Sequence, residues 1–76
     1  TKPTKLTNTV KFHRQAKGFT QEQLAQMLGV SRQTLIAIES GKYSPSLEFA
    51  FTLARALDVE IGQLFSYPGS FLVVAP

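Results

Sequence analysis

Leu24 and Leu28, and then Leu35 and Ile38, stand at the four- and three-residue steps of two successive amphipathic helices, and Leu47, Ala50, Leu53, Ala54 and Leu57 continue such spacing further along. Polar caps and glycines divide these series into five predicted helices. Asn8 or Thr7 caps a first helix that runs to about Lys17 and stops at Gly18. Thr20, with Gln23 three residues later, forms a capping box for a second helix ending at Gly29. Ser31 caps a third helix that reaches about Ser40 and is terminated by Gly41. Lys42-Tyr43-Ser44-Pro45 is a loop in which Pro45 forbids continuation of the third helix, and Ser46 then caps the fourth, with Asp58 following its end. A short fifth helix, about Ile61 to Phe65, contains Gly62, which costs it about 1 kcal/mol against Ala. Burial of Ile61, Leu64 and Phe65 must therefore hold it. Beyond Tyr67 the pattern changes: Pro68-Gly69 favours a turn, and Phe71-Leu72-Val73-Val74 reads as a buried strand. Lys5-Leu6-Thr7 offers a matching short strand at the other end.

The segment from Gln21 to Ser40 satisfies the steric rules of a helix-turn-helix. Leu24, Leu28, Val30, Leu35 and Ile38 fill its apolar positions. The fifth position must be small because the second helix crosses over it, and it is Ala25. The ninth must tolerate positive φ, and it is Gly29. The second helix of such a unit is shaped to enter a DNA major groove.

Composition narrows the class. At 76 residues the chain is one domain with a marginal core, which a second subunit would help. Without cysteine it has neither a disulfide framework nor a thiolate metal site, and the lone His13 has no ligand partners. His13 is thus expected to be structural. No run approaches the roughly 20 apolar residues needed to span a bilayer, and Thr1-Lys2-Pro3-Thr4-Lys5 lacks the apolar segment of a secretory signal. The net charge of +3 is unevenly spread. Residues 1–44 hold Lys2, Lys5, Lys11, Arg14, Lys17, Arg32 and Lys42 against Glu22 and Glu39; residues 45–76 hold Arg55 against Glu48, Asp58 and Glu60. The basic half contains the helix-turn-helix, as a polyanion-facing surface requires.

Base reading needs the outward face at the start of the third helix. With Leu35 and Ile38 inward, that face holds Arg32, Gln33, Ile36 and Ala37, with Thr34 at its edge. Gln pairs with adenine N6 and N7, Arg with guanine O6 and N7, and small apolar groups with the thymine methyl. Gln33 is the leading base reader, and Arg32 reads guanine or binds phosphate. Helix N-termini at Thr20-Gln21 and Ser31-Arg32 suit phosphate oxygens, and Lys17 adds a cation.

The chain resembles the Cro/C1-type helix-turn-helix family of small regulators. The resemblance is carried by Arg14, Gly18-Phe19-Thr20-Gln21, Leu24-Ala25, Leu28-Gly29-Val30-Ser31-Arg32-Gln33-Thr34, Ile38-Glu39, Gly41-Lys42, Pro45-Ser46-Leu47, Leu53-Ala54, Ala56-Leu57 and Leu64-Phe65. It implies an all-α, lambda-repressor-like fold of five helices over residues 8–66, an arm or short strand at 1–7, and an apolar tail at 67–76. A two-stranded sheet between the termini is compatible with it. It also implies that Gln21 clamps one phosphate and the loop Lys42-Tyr43-Ser44 another, and that Arg14 and Glu39 form an ion pair between helices. His13 in the first helix, Glu60 at a cap and Ile36 depart from the family pattern.

The function expected is a cytoplasmic, sequence-specific regulator that represses by binding a palindromic operator in double-stranded DNA as a homodimer. Ile61, Leu64, Phe65, Tyr67, Phe71, Leu72 and Val73 are the expected dimer surface. The strand at Phe71 either pairs with Lys5-Leu6-Thr7 of its own chain or crosses the partner. A protein-interaction adaptor or antitoxin on the same fold is the competing class. No nucleophile–His–acid set or phosphate-cradling loop supports an enzyme, and no cofactor, membrane or small-molecule ligand is expected.

Overall fold

The computed structural model describes residues 5–42 and 44–68. Five helices follow one another: α1 (Val10–Ala16), α2 (Gln21–Leu28), α3 (Arg32–Glu39), α4 (Leu47–Leu57) and α5 (Ile61–Leu64). A two-residue strand precedes them, β1 (Thr7–Asn8), and another follows them, β2 (Phe65–Ser66). The strands pair antiparallel, with Thr7 opposite Ser66 and Asn8 opposite Phe65. Val10, Leu24, Ala25, Leu35, Ile38, Leu53, Ala54, Leu57 and Leu64 form one buried core. Phe19, Leu28, Val30, Phe49, Ala56, Val59, Ile61 and Phe65 pack around it.

Helix starts follow the sequence closely for α2, α3 and α4. Thr20, Ser31 and Ser46 each accept a hydrogen bond from the backbone N–H three residues on. For α1 the boundary moves by one or two residues. Thr7 belongs to β1, Thr9 is the boundary residue, and Asn8 Oδ1 accepts from the Val10 N–H at 3.0 Å. At α5, the Glu60 N–H donates to Gln63 Oε1 at 2.9 Å, half of a capping box that a Ser or Thr would also have supported.

Two expectations about apolar faces are corrected. Leu47 does not join the buried side of α4; it is 71% exposed, because as the first helical residue it lies beyond the core's edge. Phe65 leaves α5 and enters β2, so the helix is one residue shorter than expected. The strand opposite the N-terminal segment is therefore Phe65–Ser66, whereas Phe71-Leu72-Val73-Val74 lies outside the described residues.

Gly29 takes φ +72° to turn α2 into α3, as its place in the motif demands. Asp58 takes φ +58° at the end of α4, the one non-glycine with positive φ among the described residues.

Candidate nucleic-acid interface

The site begins with what holds α3 in place. Arg14 of α1 is buried, and its Nε donates to Glu39 Oε2 at 2.7 Å near the end of α3. Arg14 Nη1 donates to the Phe19 carbonyl at 2.8 Å, and Nη2 reaches Glu39 Oε1 at 3.4 Å. Gln21 Nε2 also donates to Glu39 Oε1, at 3.0 Å. One carboxylate thus ties α1 and the first residue of α2 to α3, while Arg14 also holds the α1–α2 turn. The Arg14–Glu39 pair is as expected, whereas Gln21 is an unexpected third member, because an 18-residue separation carries no periodic signal.

Asn8 adds a second anchor. Its Nδ2 donates to the Ile38 carbonyl at 2.9 Å while its Oδ1 holds the start of α1. The end of α3 is thereby fixed from two sides, by Glu39 and through Ile38.

At the start of α3, Arg32 and Gln33 are exposed. Arg32 also borders a shallow groove formed with Arg14, Gly18, Phe19, Thr20, Gln21 and Glu22 at the start of α2. Ile36 and Ala37 are half-buried, so they present less surface than the outward face implied. Thr34 is displaced from the edge of that face. It is half-buried in a groove with Val30, Ile38, Pro45, Ser46 and Phe49, and its hydroxyl meets the Ser31 hydroxyl at 3.0 Å. Ser31 Oγ also accepts from the Thr34 N–H at 3.1 Å. Both hydroxyls are thus engaged in the cap.

The capping box of α2 satisfies the Gln23 and Thr20 N–H groups, at 3.0 and 2.9 Å. The N–H groups of Gln21 and Glu22 precede the first intrahelical bond, Leu24 N–H to Thr20 O, and have no acceptor within the helix.

The end of α3 carries a signal that the sequence pattern hid. Its last turn closes by Gly41 N–H to Ile38 O and Lys42 N–H to Ala37 O, at 3.1 and 3.0 Å. The same six-residue closure ends α1 at Phe19, α2 at Val30 and α4 at Val59. Those three residues are apolar and pack on the core, the usual accompaniment of this motif. At the end of α3 the equivalent residue is Lys42, and it is exposed. Ser44 is exposed nearby, and Tyr43 lies outside the described residues.

Other assignments change. Lys17 Nζ lies 3.8 Å from Asp58 Oδ2, so the structure pairs this cation with the end of α4. His13 Nδ1 contacts Thr9 Oγ1 at 3.0 Å and the Thr9 carbonyl at 3.1 Å; the ring is part of the α1 start. Of the expected dimer residues, Leu64 is 1% exposed and belongs to the chain's own core, so it cannot be a contact surface. The inward turn of a four-residue helix is not fixed by periodicity. Ile61 and Phe65 are half-buried against the same core, Tyr67 is exposed, and Phe71, Leu72 and Val73 lie outside the described residues.

The helix-turn-helix family profile matches residues 10–64. An uncharacterised HTH-type transcriptional regulator of Methanocaldococcus jannaschii is 53% identical over 60 residues, covering 79% of this chain and 91% of the relative. The antitoxin HipB of Escherichia coli is 32% identical over 59 residues, 78% of this chain and 63% of HipB. Among solved structures, the restriction-modification controller protein C.AhdI from Aeromonas hydrophila aligns with a TM-score of 0.66 at 37% identity, covering 71% of this chain and 82% of that one. The master regulator for biofilm formation SinR, in complex with DNA, aligns with a TM-score of 0.63 at 32% identity, covering 68% and 84%. With these likenesses spanning its core, its turn and both helices around that turn, the chain belongs to the Cro/C1-type helix-turn-helix family of transcriptional regulators.

Proposed function

We propose that this protein is a cytoplasmic, sequence-specific repressor that binds a palindromic operator as a homodimer, with α3 in the major groove. One observation carries the reading: α3 is clamped at its far end by the Arg14–Glu39–Gln21 cluster, while Arg32 and Gln33 at its start stay exposed. A rigid helix with free polar side chains at its leading end is what base reading needs. Gln33 reads adenine, Arg32 reads guanine or takes a phosphate, and Ile36 and Ala37 touch a thymine methyl. Thr34 and Ser31 serve the cap. The Gln21 and Glu22 amides, with Lys42, Tyr43 and Ser44, grip the backbone on either side. One such module reads about one half-site, so two copies spaced about 34–36 Å along the duplex supply specificity.

Gln33→Ala tests the assignment. Measured by fluorescence anisotropy on an inverted repeat selected from a random pool, it costs about 1–3 kcal/mol per base pair read and leaves scrambled DNA unaffected. Equal losses on both DNAs would make Gln33 a positioning residue and remove the base-reading role. The similarity to HipB favours a second reading, an antitoxin that engages a partner protein. Tight, salt-insensitive protein binding with no operator preference would select it.

A further inference from the structure

Leu47 and Phe51 stand one helical turn apart on α4 and remain 71% and 51% exposed, although the same helix buries Ala50, Leu53, Ala54 and Leu57. Adjacent large apolar groups on one stripe of so small a domain are the mark of a contact surface. Glu48 and Arg55 flank that stripe. Seven residues apart, they share one side of the helix, and both are exposed. Among the described residues neither has an ion-pair partner.

Their spacing is self-complementary. Glu48 and Arg55 lie equally far on either side of the Phe51–Thr52 peptide. When two copies of α4 cross antiparallel about a two-fold axis at that peptide, Glu48 of each faces Arg55 of the other, and the Phe51 rings meet on the axis. Parallel pairing would instead stack like charges. The exposed Phe12 of α1 has no equivalent arrangement, because α1 carries Lys11 and Arg14 and no acid.

We infer that α4 is the homodimer face, with Phe51 and Leu47 at its apolar centre and reciprocal Glu48–Arg55 pairs at its rim. The inference rests on the homodimer reading above and specifies where that dimer forms. It replaces α5, whose Leu64 is committed to the core. An apolar centre with a charged rim is the usual anatomy of such an interface.

The chain contains no cysteine, so Phe51→Cys introduces a single thiol, which on a two-fold axis meets its own copy. Under mild oxidation the Phe51→Cys protein is expected to accumulate as a disulfide-linked dimer, while Phe12→Cys, at the more exposed position, stays monomeric. By sedimentation equilibrium, Arg55→Glu or Glu48→Arg alone should raise the dimer Kd about tenfold, and the double exchange should return it to within about threefold of native. Thermal melts of each variant exclude unfolding as the cause.

Equal cross-linking of both cysteine variants, or failure of the double exchange to restore the dimer, would overturn the inference. So would a native protein that is monomeric at high concentration. A protein that binds its operator as a dimer through all these variants overturns this face and leaves the operator reading standing. A cross-linked dimer with no operator preference supports the face and removes that reading.

Discussion

Replacing Glu39 with Ala removes the acceptor of three hydrogen bonds at once, two from Arg14 and one from Gln21. The side chains of Arg14 and Glu39 are 8% and 5% exposed, so water cannot take the carboxylate's place without opening the α1–α3 contact. Breaking one side of a buried pair typically costs about 3–5 kcal/mol, because the remaining charge stays desolvated. The Phe19 carbonyl still holds Arg14 Nη1 at 2.8 Å, which places the expected cost toward the lower end, about 3 kcal/mol. A domain of this length has about 4–11 kcal/mol of total stability, so the change removes a large share of it. At about 4–8 °C per kcal/mol, the melting temperature should fall on the order of 20 °C. Urea unfolding followed by circular dichroism measures the loss directly. Arg14→Met with Glu39→Leu should recover much of it, since an apolar pair leaves no stranded charge. Strict additivity of the two single changes, or a loss below about 1 kcal/mol for Glu39→Ala, would refute the clamp as described.

Three further outcomes follow from other positions. Lys42→Ala should weaken binding to every DNA sequence alike and reduce the log K against log salt slope by about one for each phosphate no longer neutralised, without changing the melting temperature. Asn8→Ala should cost about 1–2 kcal/mol in urea unfolding, because it frees the Val10 N–H and leaves the Ile38 carbonyl with the Gly41 N–H alone. At Asp58, Gly relieves the left-handed backbone and should raise stability by about 0.5 kcal/mol, whereas Val should lower it by about 1 kcal/mol or more; thermal melts distinguish the two.

The parts of this fold that could be read from the chain are those governed by local rules. Gly29, Ala25 and the apolar series from Leu24 to Ile38 are constrained by the crossing of two adjacent helices. They therefore declare the turn without reference to anything distant. Caps at Thr20, Ser31 and Ser46 are equally local. What stayed hidden depends on partners far along the chain. Gln21 meets Glu39, Asn8 meets the Ile38 carbonyl, and Thr7–Asn8 pairs with Phe65–Ser66, all without any periodicity to announce them. A two-residue strand has no alternation to detect, and the more hydrophobic Phe71–Val74 run drew the expectation away from it. At the candidate site, Arg32, Gln33 and Lys42 were legible by type. The retreat of Thr34 from the outward face was not, because it depends on how α3 rotates against Pro45 and Phe49.

The clasp between the two ends also sets the order in which the molecule can be completed. Thr9 binds the Leu64 carbonyl through its N–H and the Gln63 carbonyl through its hydroxyl, at 2.9 and 2.8 Å, beside the β1–β2 pair. These contacts join residues more than fifty positions apart, so their loop-closure entropy must be met before they contribute. On a ribosome α1 emerges before α2 to α5, yet its N-terminal tie is available only after Ser66 has been synthesised. Until then α2 and α3 can form their local turn while Asn8, which steadies the end of α3, lacks the β-sheet partner that positions it. The C-terminal end of α1 can thus be secured by Glu39 as soon as α3 forms, whereas its N-terminal end is the part secured last, when the chain has closed on itself.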